Sequence, residues 1–67
     1  MNESLKKKIM AELEANDNEY FNTHRMMEAT YLYDEFLENE IKTISEREGV
    51  DGWEIRAAWM DYIIEQL

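Results

Sequence analysis

The chain has 67 residues, with 16 acids against 7 lysines and arginines, a net charge of −9 and no cysteine. This length allows one domain with a small core, and the missing thiols exclude a disulfide framework and a zinc–thiolate site. The acidic balance disfavours direct contact with nucleic acid or anionic lipid, because phosphate contacts need Lys and Arg.

A hydrophobic content of 45%, with 12% aromatics, is enough for a packed core and argues against disorder. No basic segment leads into an apolar run at the N-terminus, and no stretch approaches the ~20 apolar residues of a membrane span. With no cysteine to oxidise, a soluble, cytoplasmic, single-domain protein is the expectation. The charge is uneven. Glu3, Glu12 and Glu14 balance Lys6, Lys7 and Lys8, so all nine net negative charges lie in residues 17–67.

Leu5, Ile9 and Leu13 recur every four residues, with Met10 at the edge of the same face. They predict a short first helix, capped by Asn2 or Ser4 and ended at 16-NDN-18, where Asn and Asp favour a turn. From about Thr23 to Glu48, the residues Met26, Ala29, Tyr33, Phe36, Leu37, Ile41 and Ile44 fall on one stripe of 3.6-residue period. That predicts a long second helix, whose start is open among Asn18, Asn22 and Thr23. Glu40 is a misfit on this stripe.

The segment 44-ISEREGVDGWEI-55 carries the strongest local signal. Gly49 suits the left-handed residue after a helix end, Asp51 with Glu54 has the spacing of a capping box, and Val50 with Ile55 that of a hydrophobic staple. A third helix follows from about Gly52. Its acids Glu54, Asp61 and Glu65 share a narrow stripe, and apolar residues cover most of the remaining circumference. Such a helix expects burial on more than one side. It is either the centre of a three-helix bundle or an interface with a second copy or another protein, carried by Trp53, Arg56, Trp59, Met60 and Ile63. Arg56, between Trp53 and Trp59 at i−3 and i+3, is either a stem lying over apolar surface or an interface anchor. A bridge from Arg56 to Glu40 is disfavoured by the direction in which each side chain leans.

Signals for catalysis are weak. His24 is the one histidine, with Glu28 four residues on. No HExxH, His pair or Glu-x-x-His offers a zinc or di-iron ligand set, 17-DNEYFN-22 lacks the turn glycine of a calcium loop, and there is no Gly-rich phosphate loop. The expectation is a non-enzymatic protein with no metal and no cofactor.

The run 28-EATYLYDEFLENE-40 holds five carboxylates and no base. On a helix, Glu28, Asp34, Glu35 and Glu38 lie opposite the Ala29–Tyr33–Phe36 stripe, with Tyr31 beside them. A solvated face explains the amphipathicity but not the single sign, since Asp34 and Glu38 form a like-charged i, i+4 pair that costs a few tenths of a kcal/mol. In size, charge and helicity the chain resembles the small acidic proteins that mimic nucleic acid and inhibit the enzymes that handle it. The resemblance implies an inhibitor or modulator whose carboxylates engage a basic surface on a nucleic-acid-handling protein. The alternatives are a structural or regulatory homodimer, and an adaptor that binds through helix 3.

Overall fold

Asn2 starts the first helix: its side-chain oxygen accepts from the Leu5 backbone N–H at 2.7 Å, satisfying one of the orphan donors of the first turn. In the computed structural model, which describes all 67 residues, three helices run up, down and up: α1 (Glu3–Thr23), α2 (Met26–Glu48) and α3 (Gly52–Gln66). The chain is an all-α three-helix bundle, as the periodicities predict.

Helix α1 is not short. It runs through 16-NDN-18 for 21 residues, because its core row continues as Ile9, Leu13, Asn16 and Tyr20. Tyr20 is buried; its hydroxyl donates to the Ala29 carbonyl at 2.8 Å and its ring stacks on Phe36 at 4.3 Å. Asn16 donates from Nδ2 to Glu40 at 3.1 Å, so the polar misfits of two facing stripes satisfy each other. These tertiary contacts outweigh a local turn preference worth fractions of a kcal/mol per residue. Helix α2 consequently starts at Met26, later than Asn18, Asn22 or Thr23, after the extended residues His24 and Arg25; Arg25 provides no side-chain cap.

The second connection follows its sequence signals closely. Gly49 is left-handed (φ 69°, ψ 31°) and its N–H donates to the Ser45 carbonyl at 2.9 Å. Asp51 accepts from the Trp53 N–H at 2.8 Å. Glu54 does not close a capping box but pairs with the α-amino group of Met1. An added Cβ at Gly49 would meet no atom within 4 Å, so substitution there strains the backbone alone. Gly49→Ala is expected to cost about 1 kcal/mol. A fall of roughly 4–8 °C in the melting temperature, with unchanged helicity at room temperature, is the measurable result.

Ile9, Met10 and Leu13 of α1, Leu37, Ile41 and Ile44 of α2, and Ile55, Ala58 and Trp59 of α3 form the core cluster. Residues 11 of 67 are buried in all, and the molecule measures 35 × 26 × 16 Å. Its radius of gyration of 12.0 Å exceeds the roughly 11 Å of a compact chain of this length. The bundle is therefore flattened, and much apolar surface stays outside. No helix is long and apolar enough to cross a membrane.

Candidate functional site

Helix α2 turns Ala29, Leu37, Ile41 and Ile44 inward, which sends the residues half a turn away into solvent. Glu28, Tyr31, Asp34 and Glu35 are all exposed there, and Tyr31 is 86% exposed. The stretch from Glu28 to Glu38 covers about 15 Å of helix axis at the standard rise. Glu28, Asp34 and Glu35 form no ion pair within the chain. Glu38, at the edge nearer α3, accepts from Arg56 Nη2 at 2.7 Å while its own side chain stays 69% exposed.

The remaining acids divide by location. Glu12 takes a two-pronged bond from Arg47, at 2.6 and 2.9 Å, and Glu48 is held by Arg47 at 2.8 Å and Lys8 at 3.2 Å. The Arg47 guanidinium holds both carboxyls below the usual carboxylate range. Glu14 meets the Tyr62 hydroxyl, and Glu40 meets Asn16. Internal pairing thus runs mostly along the α1–α2 seam, while Glu3 and Glu19 of α1, Glu46 of α2, and Asp61 and Glu65 of α3 are exposed and form no ion pair.

The second set of predicted residues splits. Trp59 is 3% exposed and belongs to the core, where its ring stacks on Tyr62 at 5.6 Å; it offers no binding surface. Arg56 is half-buried and donates to Glu38, two residues before Glu40 and on a different side of α2, so its guanidinium is engaged at the α2–α3 seam. Trp53 (78% exposed) and Met60 (57%) face outward, and Ile63 (38%) borders a recess shared with Glu14, Asp17 and Asn18 of α1. Three residues outside the predicted set complete an outward row on α3: Ala57, Ile64 and Leu67. Their spacing with Trp53 and Met60 was visible in the sequence, but which side of a nearly all-apolar helix faces the core was not.

Three polar groups converge inside the bundle. Asp17 Oδ1 and Trp59 Nε1 are buried without a hydrogen-bond partner, and both lie near enough to the Tyr33 hydroxyl to influence its titration. Burial first, and then the Asp17 carboxylate, push the Tyr33 hydroxyl up to about 12. Burial also raises Tyr20, and the Glu14 carboxylate raises Tyr62. A phenol whose folded pKa lies above its unfolded value keeps its proton longer in the folded state. Its contribution is fully present below about pH 10 and is lost as pH rises toward 12. Thermal melts should therefore fall progressively above pH 10, and Tyr33→Phe should flatten that decline.

His24 stacks on Tyr20 at 4.3 Å and places Nδ1 2.9 Å from the Tyr20 carbonyl, away from any partnership with Glu28. No group of three or more His, Cys, Asp or Glu side chains is gathered to hold a metal ion. The largest concavity is an open groove of about 530 Å³ between α2 and α3, bordered by Glu38, Lys42, Ser45, Trp53 and Arg56. Compared with known proteins, the chain matches no protein family, no curated protein and no solved structure. The molecule thus carries two outward faces of distinct character, acidic on α2 and apolar on α3.

Proposed function

We propose that the protein is a small non-enzymatic binder that lays the outward face of α2 against a basic surface of a nucleic-acid-handling protein, where it competes with the polyanion. The observation that supports this reading most is the unpaired state of Glu28, Asp34 and Glu35 on one exposed face. Exposed acids without an ion pair also lie on α1 (Glu3, Glu19) and α3 (Asp61, Glu65), but only α2 gathers three of them within two turns, with no Lys or Arg between Met26 and Ile41.

Charge density narrows the partner. Four carboxylates over about 15 Å amount to one per roughly 5 Å, against one per 3.4 Å along a single nucleic-acid strand and one per 1.7 Å of duplex. The array suits a groove built for a single strand better than one built for a duplex. Tyr31, in the middle of the carboxylates and 86% exposed, offers a ring where such grooves take a stacked base. Apolar contact from Tyr31 and the 88% exposed Met27 supplies affinity that screened surface charge alone does not.

Competition tests the proposal. A partner captured on the immobilised protein, then identified and purified, is titrated with the protein in the presence of a single-stranded oligonucleotide. Mutually exclusive binding that weakens steeply with salt is expected. A stable ternary complex, or binding indifferent to salt, would overturn the reading.

A further inference from the structure

The outward face of α3 is apolar from end to end, and we infer that a second copy of this chain covers it, the two α3 helices pairing in parallel. The row Trp53, Ala57, Met60, Ile64 and Leu67 alternates steps of four and three residues, the 3.5-residue average of a coiled-coil seam. All five residues are exposed, Trp53 at 78%, Ile64 at 63% and Leu67 fully. The opposite face of the same helix, Ile55, Ala58 and Trp59, already fills the bundle core. Helix α3 therefore has two apolar faces, and its own chain covers one of them.

Area supports an occupant of this size. A folded monomer of 8.1 kDa is expected to expose about 4,500 Å². This chain exposes 5084 Å². The excess, about 600 Å², approaches the roughly 800 Å² that each partner contributes to a standard interface. A shorter or smaller occupant would leave part of the 15-residue helix bare.

Charge selects the orientation. Glu54 and Asp61 lie along one edge of the row, and Arg56 lies along the other. In an antiparallel pair the two acidic edges would face each other. In a parallel pair, Asp61 of each copy instead comes level with Arg56 of the other, whose guanidinium has donors left beyond the Nη2 bond to Glu38 of its own chain, the cross-seam pairing that sets orientation in two-stranded coiled coils. Each copy carries a net charge of −9, so the association works against long-range repulsion and should tighten as salt rises. That sign is opposite to the one expected for binding a basic partner. Glu28 and Glu35, on the side of α2 away from α3, stay outside the dimer.

Sedimentation equilibrium over a concentration series, at low and high salt, tests the pairing. The wild-type chain should form a dimer that strengthens with salt. Ile64→Lys should be monomeric with its helicity intact, because Ile64 makes no part of the core. A wild-type chain that stays monomeric to about 1 mM, where pairing is worth only about 4 kcal/mol, overturns the inference. So does an Ile64→Lys variant that associates as the wild type does. Orientation is read from introduced cysteines in a chain that has none. Parallel pairing predicts that Ala57→Cys cross-links to itself under mild oxidation. A cross-link formed only when Ala57→Cys is mixed with Ile64→Cys would overturn the parallel arrangement. The dimer does not rest on the function proposed for α2: a monomeric chain that still competes with an oligonucleotide would sink this inference and leave that one standing.

Discussion

Trp59→Ala is expected to leave the chain largely unfolded at room temperature, while Trp53→Ala leaves it folded. Trp59 is 3% exposed and touches the layer where all three helices meet. Truncating a buried tryptophan costs about 3–5 kcal/mol, from lost transfer free energy and from the cavity left behind. At the usual 0.05–0.15 kcal/mol per residue, the whole domain is stable by roughly 3–10 kcal/mol. The substitution thus removes a large part, or all, of the margin. Trp53, at 78% exposure, has little to lose on truncation and should stay within about 0.5 kcal/mol of the wild type. Circular dichroism melts of the two variants decide the matter, and equal melting temperatures would mean that the core is wrongly described.

The second large effect concerns recognition. Changing Glu28 and Glu35 to Gln and Asp34 to Asn should weaken binding of the basic partner by about 10–100-fold at physiological salt and by more at lower salt, with most of the change in the association rate. Stability should barely move, because two small terms oppose each other. Removing Asp34 relieves its like-charged i, i+4 repulsion with Glu38, worth a few tenths of a kcal/mol. Removing Glu28 takes a negative charge from the first turn of α2, where it favours the helix dipole by a similar amount and where Arg25 provides no side-chain cap. Glu38 is left unchanged, since its bond to Arg56 would confuse a recognition effect with a structural one. A variant that binds as tightly as the wild type contradicts the carboxylate array.

Much of this molecule was legible because its strongest signals are local. Gly49 and Asp51 mark the α2–α3 connection through backbone conformation and capping, which depend on neighbours in sequence. The stripe from Ala29 to Ile44 is long enough to be unambiguous. The α1–α2 connection is not legible in the same way, because Asn16 lies on the core row of α1 and the residue that satisfies it, Glu40, lies 24 positions away. Two polar misfits that cancel in three dimensions look like two breaks in one. The acidic face was legible for a related reason: outward carboxylates need no partner, so the wheel alone places them. Helix α3 was the opposite case. With apolar residues around most of its circumference, no pattern could say that Trp59 turns inward and Trp53 outward, and that choice emerges only when α1 and α2 are packed against it.

If the free carboxylates of α2 form one recognition surface, an amide-exchange or chemical-shift footprint of the chain bound to its basic partner will trace it. A continuous footprint is expected over Met27–Lys42 on the solvent side of α2, absent in the Glu28, Asp34 and Glu35 variant. A footprint confined to α1 or to the outward row of α3, with α2 unchanged, would contradict it.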